Sequence, residues 1–358
     1  MPIDLLGADL NEMKELTGRL GLPAFRAKQI FHWVHRQGVR SLEEMSNIPQ
    51  SVREILEKEC FITTPEVVTT SRSSSGDTIK FLLKFPDGVM VEAVLMNYDR
   101  EESRDRRTVC VSTQAGCNMG CVFCATGISG MERNLTAGEI MAQVWAAQRF
   151  CQKEGLSQVT NVVFMGMGEP LANLTPVLKS IHLLNDAEGL NIGMRRITVS
   201  TCGLVPQIYR LAEENLPITL AVSLHAPDNE LRNRLMPINK KYPLEELMQA
   251  ADEYGKRTGR RVTYEYALFQ GVNDREEDAE KLGRLLKGRL AHVNIIPSNN
   301  VPESGLLRPS EARVKKFLEK LSAWGVNAVV REEKGGDIDA ACGQLRRKIK
   351  GKINLPGE

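Results

Sequence analysis

Three cysteines within eight residues constrain this 358-residue chain more than any other feature. Cys117, Cys121 and Cys124 follow the spacing C-x3-C-x2-C, directly after the apolar, β-branched run 108–113. A thiolate is a soft anionic ligand, and three of them on one short loop can surround iron or zinc while leaving one coordination position open. The sequence therefore predicts a metal centre with an open ligand position, at the end of a strand.

A structural zinc site is the simplest alternative for this loop. Such a site recruits a fourth protein ligand at local spacing, usually through a second pair of Cys or His, and no such pair follows here. Three thiolates would instead leave one iron of a cubane cluster free. The loop resembles that of the radical S-adenosylmethionine (SAM) enzymes, and the resemblance implies a 4Fe-4S cluster whose open iron binds SAM. Three structural or zinc-bound cysteines remain the other interpretation at this point.

The composition is that of an ordinary soluble chain, with 42% apolar and 26% charged residues. No apolar run approaches the roughly 18 residues of a membrane span, and the first residues lack a signal-peptide layout. We therefore expect a cytoplasmic protein with no membrane partner. Eight cysteines in a chain of this length suit a reducing compartment. The net charge of +2 neither requires nor excludes a nucleic-acid partner.

Residues 1–65, here called the head, are predicted to form a small helical domain. The apolar spacing predicts helices at 11–20, 23–37 and 49–60. Four cations of the head are hypothesised to dock on RNA phosphates: Arg26, Lys28, Arg36 and Arg40.

Residues 66–100 are predicted to form a β-hairpin that links the head to the core. Two β-rich runs, 78–85 and 89–96, are joined by Pro86-Asp87-Gly88. Proline presets the turn dihedral and glycine accepts positive φ, so this tripeptide favours a hairpin. Glu92 lies in the second run, where an acidic residue either faces solvent or is held for chemistry.

Residues 101–345 alternate strands with helices, which indicates an α/β core with parallel strands. Strands are predicted at 108–113, 161–165, 196–201, 218–224, 262–268 and 292–296, with a seventh at 327–331. Helices are predicted at 137–153, 176–186, 204–214, 244–258, 276–286 and 310–324. With the radical SAM resemblance, this rhythm implies a partial (βα)6 barrel with ligands at the C-terminal ends of its strands. A basic tail follows at 346–358.

Polar and small residues lie where these strands end. The second strand runs into Met-Gly-Met-Gly-Glu-Pro at 165–170, whose backbone and carboxylate suit the amino group of SAM. The ends of the third, fourth and sixth strands supply hydroxyl, imidazole and amide groups for its other parts. The resemblance to the radical SAM enzymes implies SAM contacts at Gly168, Glu169, Ser200, Ser223, Leu224, His225 and Asn299.

Two further thiols, Cys110 and Cys342, suggest thiol chemistry beside the radical source. Cys342 lies in Asp-Ile-Asp-Ala-Ala-Cys-Gly-Gln-Leu at 337–345. This segment, the cysteine loop, 165–170, 223–227 and Leu-Met-Pro-Ile-Asn at 235–239 together resemble the RlmN family of dual-specificity RNA adenine methyltransferases. The resemblance covers essentially the whole chain.

The resemblance implies a reaction at carbon-2 of an adenosine in 23S rRNA and in tRNA, with two SAM molecules per turnover. One SAM methylates Cys342, and a second, cleaved at the cluster, yields a radical that abstracts hydrogen from that methyl. The resulting carbon radical joins the ring, Glu92 removes the ring proton, and Cys110 attacks the Cys342 sulfur to form a disulfide and release the base. The implied partners are these RNAs and a one-electron reductant such as flavodoxin, and the implied state is a monomer.

Other functions remain open from sequence alone. A related antibiotic-resistance enzyme methylates carbon-8 of the same adenine and shares every cysteine. Pro170, which completes Gly-Glu-Pro, together with 189–193 and 259–265, favours carbon-2. Outside this chemistry, a non-catalytic iron-sulfur RNA-binding protein and a radical SAM enzyme with a small-molecule substrate are the alternatives.

Overall fold

The computed structural model describes residues 2–98, 106–299 and 301–345. The basic tail and residues 99–105 of the charged segment before the first core strand lie outside this part. The strands are β1 (Ile3–Asp4), β2 (Cys60–Phe61), β3 (Glu66–Arg72), β4 (Thr78–Lys84), β5 (Met90–Tyr98), β6 (Arg106–Cys110), β7 (Gln114–Gly116), β8 (Met131–Asn134), β9 (Asn161–Phe164), β10 (Ile197–Thr201), β11 (Thr219–Ser223), β12 (Val262–Leu268), β13 (Ala291–Pro297) and β14 (Ala328–Val330). The α-helices are α1 (Leu10–Arg19), α2 (Phe25–His32), α3 (Gln50–Glu59), α4 (Ala125–Ile128), α5 (Ala137–Lys153), α6 (Leu174–Asn185), α7 (Val205–Glu213), α8 (Asn229–Leu235), α9 (Leu244–Thr258), α10 (Glu276–Leu286) and α11 (Glu311–Ala323).

Within the described ranges, ten strands form one sheet in the order β14-β13-β12-β11-β10-β9-β6-β5-β4-β3. The seven strands from β6 to β14 in this sheet pair in parallel, and helices follow most of them along the chain. Except for the edge strand β14, these strands are buried or partly buried and rich in valine, isoleucine and leucine, as expected for parallel strands covered by helices. The predicted α/β core, including its seventh strand, is confirmed.

The hairpin differs from the expected linker because it extends the core sheet. Its second strand, β5, pairs antiparallel with β6, with Val94 opposite Cys110. Seven of its nine residues are buried, so β5 needs neighbours on both sides. A further strand, β3, forms the outer edge of the sheet; it is mostly exposed, and its pairing with β4 shifts register between Val67 and Thr69.

The head contains the three predicted helices and a short parallel pair, β1 with β2. Its first helix begins with a capping box formed by Asp9 and Glu12. Two of the cations hypothesised to dock on RNA contact a core turn in the structure. The Lys28 ammonium lies 2.9 Å from a Glu188 carboxylate oxygen, and the Arg36 guanidinium donates to the carbonyls of Ala187 and Gly189. These contacts fasten the head to the core.

His35 gives the head a pH-dependent stability. Its Nε2 lies 3.1 Å from the Ala8 carbonyl, and burial lowers its pKa from 6.5 to about 4. Between these values the unfolded chain binds more protons than the native protein, so stability is lost as the pH falls through this window, by about 3 kcal/mol at most. We expect the melting temperature to drop less between pH 7 and pH 4.5 in His35→Gln than in the unmodified protein. An equal drop in both proteins would contradict this assignment.

Among the described residues, none of the helices combines the length and the apolar character that a membrane crossing requires.

Candidate active site

The three-cysteine loop lies between β7 and α4, close to where β6 ends. Cys117 and Cys121 are buried, Cys124 is partly exposed, and all three are free thiols. The loop is closed by the Cys117 amide, which donates to the Gly130 carbonyl at 2.9 Å. Gly116 has φ +89°, and a Cβ there would lie 1.9 Å from the Gly130 oxygen, so only glycine fits before the first cysteine.

Two contacts join the cysteine loop to the segment that carries Cys342. The Ala125 amide donates to the Gly343 carbonyl at 2.8 Å, and the Thr126 hydroxyl donates to the Leu345 carbonyl at 2.7 Å. Segments more than 200 residues apart in sequence are therefore adjacent in space.

A cavity lies at the C-terminal ends of the parallel strands, with the three thiols on its wall. Six of the seven predicted SAM residues line it, together with Cys342: Gly168, Glu169, Ser200, Ser223, His225 and Asn299. Leu224 is the exception. It is fully buried, its amide donates to the Glu265 carbonyl, and its carbonyl accepts from Arg232.

The glycines of the 165–170 turn line the cavity and also lie very close to other parts of the protein. A Cβ at Gly166 would lie 2.7 Å from the Val111 carbonyl carbon, and one at Gly168 would lie 2.6 Å from Gln114 Cβ. These glycines therefore allow the turn to pack against the chain leading to the cysteine loop. Glu169 is held there by hydrogen bonds from the Leu171 and Cys202 amides, and burial raises its pKa.

His225 presents a neutral imidazole to the cavity. Its Nδ1 accepts from the Ala267 amide at 2.9 Å, so the ring proton is on Nε2. Burial lowers its pKa to about 3, and its ring packs edge-on against Phe123 at 4.7 Å. The backbone has φ +55°, an unusual conformation outside glycine. Residues held in such backbone conformations cluster at binding and catalytic sites.

Arg232 fixes the strand ends beneath the cavity, a role that sequence patterns did not predict. Its guanidinium donates to the Cys202, Ser223 and Leu224 carbonyls at 2.7, 3.1 and 3.2 Å and to the Asn239 side chain at 2.8 Å. The 235–239 motif, noted only for family resemblance, thus contributes Asn239 to this network.

A second cavity adjoins the first and brings Cys110 and Cys342 together. Asn299 donates to the Cys342 carbonyl at 3.0 Å, and both residues line both cavities. Burial raises the pKa of the Cys110 thiol to about 12, Cys342 acts in the same direction, and the Arg331 guanidinium lowers it. Arg331 lies 3.7 Å from the Glu265 carboxylate. Neither was predicted as a site residue: Glu265 is a single charge in an otherwise apolar strand, and Arg331 begins the charged run Arg-Glu-Glu-Lys at 331–334.

Glu92, like Leu224, is buried away from the two cavities. It is 1% exposed on β5 and lines neither of the two cavities, and its carboxylate lies 3.0 Å from the Lys80 ammonium. The sequence pattern left open whether Glu92 faces solvent, and the structure places it in the interior.

The donor set of the loop fits an iron-sulfur cluster. Three soft thiols share one wall of a cavity that also offers polar groups, which suits a cubane with one iron left for another ligand. In the part of the chain that the structure describes, no three Cys, His, Asp or Glu side chains are arranged around one metal-ion position.

Two family models match the chain. Residues 111–283 match the radical SAM superfamily, which implies a 4Fe-4S cluster and SAM, and residues 3–62 match the ribosomal RNA large subunit methyltransferase N-terminal domain.

Similar proteins cover nearly the full length. A probable dual-specificity RNA methyltransferase RlmN from Desulfitobacterium hafniense is 50% identical over 344 residues, covering 95% of this chain and 96% of that protein. One of the same name from Clostridium acetobutylicum is 48% identical, covering 94% of each. The crystal structure of a radical SAM methyltransferase from Sphaerobacter thermophilus superimposes with a TM-score of 0.92 at 48% identity, covering 96% of this chain and 99% of that one. The chain therefore belongs to the RlmN family of radical SAM RNA methyltransferases.

Proposed function

We propose that this protein methylates carbon-2 of an adenosine in 23S rRNA and in tRNA, through an S-methylcysteine on Cys342. The observation that carries the proposal is the pair of thiols, Cys110 and Cys342, in a cavity adjoining the one lined by the three-cysteine loop. The names of the relatives, dual-specificity RNA methyltransferases, support the two RNA substrates. In this proposal the protein is a cytoplasmic monomer, and a one-electron reductant such as flavodoxin supplies its electrons.

Carbon-2 of adenine requires radical chemistry because it is electron-poor and offers no nucleophile for polar methyl transfer. When bound, the cluster and SAM supply a one-electron cleavage whose radical removes hydrogen from a methyl group. Cys117, Cys121 and Cys124 would hold the cluster. Gly168, Glu169, Ser200, Ser223, His225 and Asn299 would bind and orient SAM, and Leu224 would contribute only through its position in the β11 end.

The protein's own residues would carry the methyl group and release it. The Cys342 sulfur carries the methyl group donated by a first SAM. After a second SAM is used, the carbon of that methyl group becomes bonded to the adenine ring. Glu92 accepts the ring proton as the adduct gives up one electron, for which the bound cluster would be the acceptor. Cys110 then attacks the Cys342 sulfur; the sulfur–sulfur bond forms, the carbon–sulfur bond breaks with its electron pair on carbon, and that carbon takes a proton to become methyl. The disulfide must be reduced before the next turnover.

The environment of Cys110 suits a nucleophile that acts late. Its pKa of about 12 keeps the thiol protonated and unreactive at neutral pH, since the thiolate is the attacking form. The Arg331 guanidinium provides a nearby positive charge for the thiolate when it forms.

The decisive experiment is reconstitution with iron and sulfide under anaerobic conditions, followed by reaction with SAM, a reductant and an rRNA fragment. Mass spectrometry of the nucleosides should detect 2-methyladenosine. Detection of 8-methyladenosine would assign the carbon-8 reaction instead. Failure of the reduced protein to cleave SAM would favour a non-catalytic iron-sulfur RNA-binding protein.

A further inference from the structure

We propose that Lys80 is a positioning residue that holds Glu92 and the loop carrying Cys342 in one fixed arrangement. The inference rests on the function proposed above, in which Glu92 removes the ring proton and Cys342 carries the methyl. Neither sequence motifs nor the family comparisons single out Lys80.

The first contact of Lys80 is with the carboxylate of Glu92. Lys80 on β4 pairs with Val94, and Leu82 pairs with Glu92, so Lys80 and Glu92 are diagonal neighbours on one face of the hairpin. Nζ lies 3.0 Å from Oε1, with side-chain exposures of 13% and 2%. Burial of a carboxylate is costly unless an opposite charge and hydrogen bonds compensate it. Lys80 supplies such a charge and fixes the direction of the carboxylate.

The second contact of Lys80 is with the Cys342 loop. The same ammonium donates to the Asp339 carbonyl at 3.1 Å. Asp339 has φ +53°, a left-handed conformation that costs free energy outside glycine. It lies three residues before Cys342, so this turn sets the direction in which the chain reaches the thiol. One ammonium thus joins the proposed base to the backbone that positions the methyl carrier.

The loop has another attachment to the hairpin that does not involve Glu92. The Ser74 amide donates to Asp337 Oδ2 at 2.7 Å. Loss of Lys80 should therefore disturb Glu92 and the Asp339 turn without detaching the loop. Asp337→Ala is a matched control, because it weakens the same loop at an exposed residue and leaves the Lys80–Glu92 pair intact.

The experiment compares Lys80→Met, Lys80→Arg and Asp337→Ala in the reconstituted full-length protein. Intact mass reports methylation of Cys342, a denaturing gel reports the protein–RNA adduct, and nucleoside analysis reports product. For Lys80→Met we expect normal Cys342 methylation, accumulated adduct, and product formation at least about tenfold slower, since a general base contributes rate factors of this size or larger. Lys80→Arg should recover most of the rate. Asp337→Ala should accumulate no adduct.

The outcomes separate this inference from the proposed function. If the unmodified protein never methylates Cys342, the proposed function fails. If it does, and Lys80→Met turns over normally or loses Cys342 methylation together with product, Lys80 has no role in positioning Glu92. Should Lys80→Met fold poorly, the double variant Lys80→Met/Glu92→Gln provides the test: its melting temperature should recover part of the loss, because it removes a buried carboxylate that has lost its Lys80 partner. No recovery would overturn the pairing.

Discussion

Replacement of Cys110 by alanine is expected to leave the protein covalently attached to its RNA. Cys342 would still acquire a methyl group and join the adenine ring, since these steps do not use Cys110. Among the described residues that line the second cavity, Cys110 and Cys342 are the only cysteines, so without Cys110 the released product should fall to background. A denaturing gel with labelled RNA should show a protease-sensitive adduct.

The control for this experiment is Cys60→Ala. Cys60 is also a buried thiol, but it lies in the head at β2, and neither cavity includes it. That variant should release methylated RNA at the normal rate. If Cys110→Ala also does so, the resolving role of Cys110 is wrong.

Replacement of Cys342 by alanine is expected to abolish RNA methylation and adduct formation together, while SAM cleavage continues. The loop should keep its place, because the contacts around position 342 use backbone atoms: Asn299 donates to its carbonyl, and the Ala125 amide donates to Gly343. The loss would therefore reflect the missing sulfur rather than a displaced loop.

The double variant Cys110→Ala/Cys342→Ala extends this test. It should form no adduct, because the adduct of the single Cys110 variant depends on the Cys342 sulfur. Mass spectrometry for methylated nucleoside and 5'-deoxyadenosine measures both outcomes. Methylated RNA from Cys342→Ala would show that the methyl group reaches the base by another route.

Features that depend on local pattern were predicted well from sequence. The parallel strands were predicted from their continuous apolar runs. Ligands bind at the C-terminal ends of such strands, and six polar or small residues predicted there line one cavity in the structure. The short strands β7 and β8 were missed because three or four residues carry too little periodicity.

Features that depend on pairing across the fold were not predictable. Lys80 in β4 looks like the solvent-facing member of an alternating strand, and its partner is decided by the register between β4 and β5. Arg331 likewise follows an edge strand whose residues are mostly exposed, yet the fold turns its guanidinium toward Cys110 and Cys342. Gly168 was predicted as a SAM contact and lines the cavity, and its close approach to Gln114 could not be predicted because it depends on how the turn packs.

The extension of the core sheet by the hairpin has a consequence for self-association. An open sheet of this kind ends in two strands whose outer backbone groups are available to a second copy, which is a route to aggregation. At one end, the register shift between Val67 and Thr69 interrupts β3, and Glu66 and Arg72 place charges at its two ends. At the other end, β14 is only three residues long. Both edges are therefore poor templates for strand addition. The hairpin can extend the sheet and bury Glu92 without creating an edge that favours pairing with a second molecule.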